Sequence, residues 1–189
     1  MQPSIFDPKC PHSTHFPLLK YLLEQSNGFV IEIGSGYSST PLCYEIAHQK
    51  NGFCLSLEND KFFYNKFLVD NDANFKIESV KEWVSHFQSP EMVDLPKSRD
   101  WFVCLVDNAP WVARLTAIEY VKNFVPYILL HDCDFYTREK LVDDWGKYFK
   151  YYRIYNVHSK PYKSGPPTLL GSNLVENLEF KIEGMYIEP

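Results

Sequence analysis

Four apolar, strand-like segments of the sequence end in residues that could bind a ligand or move a proton. These residues are Gly34 and Gly36, Glu58, Asp107, and His131 with Asp132. In a parallel sheet the carboxyl ends of the strands meet at one edge, and ligands bind in the crevice outside that edge. The sequence therefore predicts one site that these residues share.

The two glycines and the first acid have the spacing of a nucleoside site. Gly34 and Gly36 allow a sharp turn and let backbone N–H groups approach a ligand closely. Glu58 follows about 20 residues later, where a carboxylate can accept hydrogen bonds from both hydroxyls of a ribose. We therefore expect a nucleoside-containing cofactor; the alternative is a tight turn in an α/β domain that binds no ligand.

Two positions near the glycines distinguish between cofactors. A dinucleotide fingerprint has a third glycine where this sequence has Ser39, and an apolar residue where it has Glu32. A carboxylate at this loop sits poorly beside a pyrophosphate, but it suits the amino and sulfonium groups of S-adenosylmethionine. The pattern therefore favours S-adenosylmethionine over NAD.

The elements that would position these residues alternate between helices and strands. Periodicity and capping residues predict helices at Phe16–Gln25, 38–48, 60–67, 80–87, 112–124 and 137–148. Apolar runs predict strands at Phe29–Ile33, 53–57, 75–78, 101–106, Tyr127–Leu130, Tyr151–Val157 and 167–173, with a proline-containing loop at 90–100. Such alternation is typical of an α/β fold whose parallel sheet is covered by helices on both faces. We predict one domain over 1–189, with an N-terminal helical segment at 1–27 and a core at 29–175.

Composition and charge exclude several classes of protein. The chain has 189 residues, 45% of them hydrophobic, which fits one domain with its own core. A net charge of −5 argues against nucleic acid as a partner. No apolar run approaches the roughly 20 residues of a membrane span, so we expect no membrane partner. Five cysteines without a C-x-x-C pair indicate reduced thiols and a cytoplasmic location.

The segment VIEIGSGYSSTPLCYEIA, at 30–47, resembles the first motif of class I S-adenosylmethionine-dependent methyltransferases. It is most similar to their catechol O-methyltransferase-like subset. LSLE, FVCLVDNAP and YILLHDCD, at 55–58, 102–110 and 127–134, match the later motifs in order. PPTLLGSN, at 166–173, is similar to the last strand of the family, which pairs antiparallel in a closing hairpin. The resemblance covers 29–173 and implies a Rossmann-like methyltransferase fold with a C-terminal antiparallel hairpin.

The resemblance also implies which residues hold S-adenosylmethionine. Glu58 would bind the ribose, and Ser79 with Val80, after the third strand, would flank the adenine. Asp107 would face the methionine end of the cofactor or the substrate. The residues of the first motif would line the methionine part: Glu32, Gly34, Ser35, Gly36, Ser38 and Ser39.

The later strand ends leave two catalytic alternatives open. In the resembled subset, the positions of Asp107 and Asp132 hold a divalent metal, completed by an asparagine where this sequence has Cys133. Because a thiol is a poor ligand for magnesium, we favour a site without a metal. His131 would then act as a base that takes the proton of a substrate hydroxyl or amine, and the alternative is a hydrogen-bonded structural histidine.

The predicted function is transfer of a methyl group from S-adenosylmethionine to an oxygen or nitrogen of an unidentified acceptor, either a small molecule or a protein. The alternatives are a non-catalytic module with the same fold and an NAD-dependent oxidoreductase. His12 and His15 precede the first helix, where the resemblance places a lid over the pocket. We favour the simpler interpretation that both are surface histidines.

Overall fold

The computed structural model describes residues 13–157 and 165–188. The strands in this part of the chain are β1 Phe29–Ile33, β2 Phe53–Glu58, β3 Phe75–Ser79, β4 Val103–Val106, β5 Tyr127–Leu130, β6 Tyr151–Val157, β7 Thr168–Ser172 and β8 Met185–Ile187. They form one sheet in the order β3-β2-β1-β4-β5-β7-β6-β8. The first five strands pair in parallel, and the last three join antiparallel. The predicted mostly parallel sheet with a C-terminal antiparallel hairpin is confirmed.

Helices cover both faces of the sheet, as predicted. They are α1 Phe16–Gln25, α2 Ser39–Gln49, α3 Lys61–Leu68, α4 Trp83–Phe87, α5 Pro90–Ser98, α6 Ala113–Val121, α7 Asp134–Arg138 and a 3₁₀ helix, Trp145–Lys147. On β1, Ile31 and Ile33 pack in an apolar cluster with residues of α4, α5 and α6. Val30 points to the opposite face and packs with residues of α1 and α2. Because both faces are buried, the central strands are mostly apolar, and Glu32 of β1 and Ser56 of β2 are buried polar exceptions.

The prediction of a loop at 90–100 is wrong, because both prolines occupy positions that a helix tolerates. Pro90 lies in the first turn of α5, where its missing N–H is not needed. Pro96 lies inside the helix and cannot donate to the carbonyl of Met92, four residues earlier. The hydroxyl of Tyr120 donates to that carbonyl instead, at 2.6 Å. A partner from α6 thus replaces the hydrogen bond that proline removes.

The predicted helix at 137–148 is replaced by two shorter elements. The α-helix ends at Arg138, and Lys140 has a positive φ of 55° that interrupts helical geometry. The carboxylate of Asp144 accepts a hydrogen bond from the N–H of Gly146 at 2.7 Å and begins the 3₁₀ helix. A side chain that accepts a hydrogen bond from a nearby backbone N–H in this way favours the start of a new helix over continuation of the preceding one.

The sheet extends beyond the predicted core at 29–175. β8 pairs antiparallel with β6, with Asn156 opposite Tyr186, so residues as far as Ile187 belong to it. Cys43, Cys54, Cys104 and Cys133 are buried free thiols, and Cys10 lies outside the described residues. None of the helices within 13–157 and 165–188 combines the length and hydropathy that crossing a membrane requires.

Candidate active site

The chain turns at Gly34 because no other residue fits between the ends of β1 and β4. Gly34 has a φ of +95°, and a Cβ there would lie 2.6 Å from the backbone of Asp107 and Asn108. Its N–H donates to the carbonyl of Leu57 at 2.8 Å, and the N–H of Asp107 donates to Ile33 at 2.8 Å. The turn is thereby fixed against both neighbouring strands. The next residues of the loop are held at the carboxyl edge of the sheet.

Glu58, at the end of β2, is bonded to this loop. Its Oε2 accepts a hydrogen bond from the N–H of Ser35 at 2.6 Å, and its Oε1 accepts one from the N–H of Asp60 at 2.5 Å. Burial raises the pKa of Glu58, and these N–H donors partly offset that effect. Ser79 lies opposite Glu58 in the β2–β3 ladder, and the N–H of Val80 donates to the Glu58 carbonyl at 2.8 Å. The structure thus places the predicted ribose and adenine residues side by side.

Glu32 lies under the glycine loop and is fully buried. Thr40 Oγ1 donates to its carboxylate at 2.9 Å, and Ser56 Oγ donates at 2.7 Å. The same Thr40 hydroxyl accepts the N–H of Gly36 at 2.9 Å, and Ser35 Oγ lies 3.0 Å from Ser56 Oγ. The structure therefore links Glu32 to the loop through two hydroxyl groups.

Burial raises the pKa of Glu32 from 4.5 to about 7. An acid whose pKa is higher in the folded than in the unfolded state contributes stability below the unfolded pKa, which is lost as the pH rises through the folded pKa. Replacing Glu32 by glutamine should therefore change the free energy of unfolding little near pH 4.5. By about pH 8 the variant should be more stable than wild type by about 2–3 kcal/mol.

Urea unfolding of Glu32→Gln and wild type at several pH values measures this difference. Glu45→Gln, at an exposed position of α2, is the control for the exchange of glutamate for glutamine itself. A Glu32→Gln difference that does not vary with pH would show that burial does not perturb the Glu32 carboxyl.

Asp107, His131 and Asp132 meet as predicted, but a fourth residue joins them. Arg114 Nη2 lies 2.7 Å from Asp107 Oδ1, and its Nη1 lies 3.4 Å from Asp132 Oδ2. The guanidinium also donates to the carbonyls of Asn108 and His131, each at 2.8 Å. The side chain of Arg114 is only 5% exposed. It ties the end of β4 to the end of β5 and supplies a cation between the two carboxylates.

These donors do not fit a divalent metal. His15, Asp107 and His131 bring one potential ligand atom each to within 4.8 Å of the others. However, the guanidinium of Arg114 already neutralises Asp107 at 2.7 Å. Cys133, at the position where the resemblance implies an oxygen ligand, is a thiol buried in the apolar cluster, and a thiol is a poor ligand for magnesium. The expectation of a site without a metal remains a prediction, which this donor set supports.

Arg114 was missed by the sequence analysis, although the helix that carries it was predicted. The buried residues of α6 are Arg114, Ala117, Ile118 and Val121, spaced i, i+3, i+4 and i+7. A charged residue within such an apolar stripe faces the protein interior and must find partners there. The position of Arg114 within the apolar stripe of α6 is the sequence feature that indicates a buried, paired cation.

His15 is buried, with 3% of its surface exposed, so the interpretation as a surface histidine is wrong. Its ring centroid lies 4.4 Å from that of His131. Thr14, next to it, bonds to His131 Nε2 at 3.1 Å, and Ser13 Oγ lies 3.1 Å from Ser38 Oγ. Residues 13–15 thus lie over the strand ends. His12 lies outside the described residues.

A cavity of about 410 Å³ opens beside the glycine loop, within the usual size range of small-molecule sites. Glu58 contacts its wall through Ser35. The other predicted residues that do not line the cavity are Glu32, Gly34, Ser79, Val80, His131 and Asp132. A wider depression of about 770 Å³ runs along β6 and contains none of the predicted residues. The smaller cavity is lined by five predicted residues and four others: Ser35, Gly36, Ser38, Ser39 and Asp107, and Ser13, His15, Tyr37 and Phe63.

Comparison with known proteins finds similarity in structure alone. No family model matches the sequence, and no curated protein sequence matches it. The methyltransferase domain of bacterial CtHen1-C superposes with a TM-score of 0.51 at 11% identity, over 86% of this chain and 99% of that one. A human methyltransferase 10 domain containing protein has a TM-score of 0.48 at 14% identity, over 84% and 79%. The 23S rRNA methyltransferase ErmE has a TM-score of 0.49 at 12% identity, over 87% and 70%.

The sheet order and the match to the CtHen1-C domain show that the chain has the Rossmann-like methyltransferase fold. Identities this low show the fold and leave the activity open.

Proposed function

We propose that the chain is an S-adenosylmethionine-dependent methyltransferase that methylates an oxygen or nitrogen atom of its acceptor. One observation carries the proposal: Glu58 is bonded to the loop after β1 beside a cavity of about 410 Å³ at the strand ends. An acid in that place can bind ribose, and the loop offers backbone N–H groups to the rest of the ligand. The antiparallel β7 between β5 and β6 also departs from the parallel order of the dinucleotide-binding fold.

The cofactor would lie across the ends of the first strands. Glu58 would accept hydrogen bonds from the ribose with the lone pairs that its backbone donors leave open, and Ser79 with Val80 would flank the adenine. The methionine part would occupy the cavity, which Asp107 also lines. The proposed contacts to that part are Gly34, Ser35, Gly36, Ser38 and Ser39, with Glu32 acting from beneath through Thr40 and Ser56.

The chain's contribution to the reaction is to position the reactants. When bound, S-adenosylmethionine supplies an electrophilic methyl group on a sulfonium. Holding the acceptor in line with that group at contact distance supplies much of the rate enhancement. Arg114 keeps Asp107 and Asp132 fixed at the strand ends, while residues 13–15 shield the cavity from water.

The proposal does not specify which class of molecule accepts the methyl group. The expectation that nucleic acid is not a partner gains no support, since one of the similar structures is an rRNA methyltransferase by name. The catechol O-methyltransferase-like subset remains a prediction, and Cys133 in place of the subset's asparagine argues against it. A cytoplasmic location belongs to the proposal as well and is supported by the four buried free thiols.

Transfer of tritium from methyl-labelled S-adenosylmethionine tests the proposal. The protein is incubated with RNA, protein and small-molecule fractions of a cell extract, each assayed separately. We expect label in one fraction with wild type and a strong decrease with Glu58→Ala. Binding of the cofactor without transfer to any fraction would instead favour a non-catalytic module.

A further inference from the structure

Both ring nitrogens of His131 face hydrogen-bond acceptors. Nδ1 lies 3.3 Å from Asp107 Oδ1, and Nε2 lies 3.3 Å from Asp132 Oδ1. Nε2 also lies 3.1 Å from the hydroxyl of Thr14, whose proton is donated to the carbonyl of Pro166 at 2.7 Å. That hydroxyl can therefore only accept from the ring. Satisfying these contacts requires a proton on each nitrogen.

The surroundings of His131 agree with a protonated ring. Burial opposes the charge, but Asp107 and then Asp132 outweigh it and raise the pKa of His131, while Arg114 acts in the opposite direction. An imidazolium has two N–H donors and no lone pair. In this state His131 cannot accept the proton of a substrate, so the geometry favours a different residue for that contact.

The ring nitrogens of His15 differ from those of His131 in their surroundings. Neither of its ring nitrogens has a hydrogen-bond partner among the described residues, although the side chain is buried and lines the cavity. Burial, the neighbouring His131 and Arg114 lower the pKa of His15 to about 3, against the opposing effect of Asp107. A neutral imidazole offers one donor and one acceptor nitrogen. Buried polar groups without partners are rare in proteins and call for an explanation, such as a ligand.

We propose that His15 contacts the methyl acceptor, and that its unprotonated nitrogen accepts a hydrogen bond from a hydroxyl or a weakly basic N–H of that molecule. This inference rests on the proposed function. The acceptor's lone pair forms the new bond to carbon as the carbon–sulfur bond breaks, and the electron pair of that bond stays on sulfur. The acceptor atom, now positively charged, releases its proton along the hydrogen bond to His15 and from there to water.

The surrounding charges define the class of acceptor. Arg114 and the protonated His131 lie next to His15, balanced by Asp107 and Asp132. Among the described residues that line the cavity, Asp107 is the one carboxylate, and Arg114 already pairs with it, so a protonated aliphatic amine does not fit. A neutral hydroxyl or an amide-like or aromatic nitrogen does fit, and Tyr37 with Phe63 supplies aromatic walls for such a group.

Nitrogen NMR of ¹⁵N-histidine-labelled protein, with S-adenosylhomocysteine present, tests the inference without a known acceptor. Near neutral pH we expect two protonated nitrogens on His131, and one protonated and one bare nitrogen on His15. Phenol, which carries a hydroxyl, should shift the bare nitrogen of His15, whereas its methyl ether anisole should not. With S-adenosylhomocysteine at saturating concentration, His15→Ala should weaken phenol binding about fivefold.

His48→Ala is the matched control, because His48 lies on α2 and bonds to Asp72 away from the cavity. It should leave phenol binding unchanged. A bare nitrogen on His131, or equal shifts with phenol and anisole, would overturn the inference. Failure of S-adenosylhomocysteine to bind would instead count against the proposed function, while the protonation states of the two histidines would still be measured.

Discussion

Replacement of Gly34 by alanine is expected to abolish cofactor binding and to lower the free energy of unfolding by about 2–4 kcal/mol. The residue has a φ of +95°, which is unfavourable for alanine. In addition, the new Cβ would lie 2.6 Å from backbone atoms of Asp107 and Asn108, which cannot move aside without shifting the end of β4. Both the loop and the adjoining cavity wall would be displaced.

Gly36→Ala is the matched control for this prediction. A Cβ at Gly36 would meet only the hydroxyl of Ser39, at 2.9 Å, and that side chain can rotate. We expect a loss of less than about 1 kcal/mol in unfolding free energy. Urea unfolding and calorimetry with S-adenosylhomocysteine measure both effects. Equal losses of unfolding free energy in the two variants would show that the backbone conformation of Gly34 is not the critical feature.

Replacement of Glu58 by alanine is expected to weaken S-adenosylhomocysteine binding by about 2–4 kcal/mol, or roughly 30- to 1000-fold. The variant loses the carboxylate that would bind the ribose. It also leaves the N–H groups of Ser35 and Asp60 without their present acceptor. Calorimetric titration of the variant and wild type gives the difference directly.

Asp60→Ala distinguishes the loss of the Glu58 carboxylate from disruption of α3, the helix that follows it. Asp60 Oδ1 caps α3 by accepting from the N–H groups of Phe62 and Phe63, and its own N–H still bonds to Glu58 in the variant. The variant should lose about 1 kcal/mol of unfolding free energy and keep its affinity for S-adenosylhomocysteine. A loss of affinity as large as that of Glu58→Ala would mean that disruption of α3, rather than loss of a ribose ligand, explains both.

The positions of the strand ends could be predicted because they follow from local sequence patterns. Apolar runs end at Glu58 and Asp107, and parallel strands bring such ends to one edge. Arg114 and His15 could not be assigned in the same way. Their roles depend on partners from other elements, such as the Asp107 and Asp132 carboxylates that Arg114 joins.

The charge state of His131 could not be predicted from the sequence either. It depends on how far Asp107 and Asp132 offset burial, and on Thr14, which lies 117 residues away along the chain and donates its own proton to the Pro166 carbonyl. Similarly, burial beneath the glycine loop raises the pKa of Glu32, against the hydrogen bonds that Ser56 of β2 and Thr40 of α2 donate to its carboxylate. Sequence spacing predicts which residues reach the edge of the sheet, whereas their charge states depend on the completed packing.

Calorimetric titration of the full chain with S-adenosylhomocysteine, and in parallel with NAD, measures which cofactor the glycine loop binds. We predict saturable heat with S-adenosylhomocysteine, greatly weakened binding in Glu58→Ala, and no binding of NAD. Binding of NAD together with no heat from S-adenosylmethionine or S-adenosylhomocysteine would contradict it.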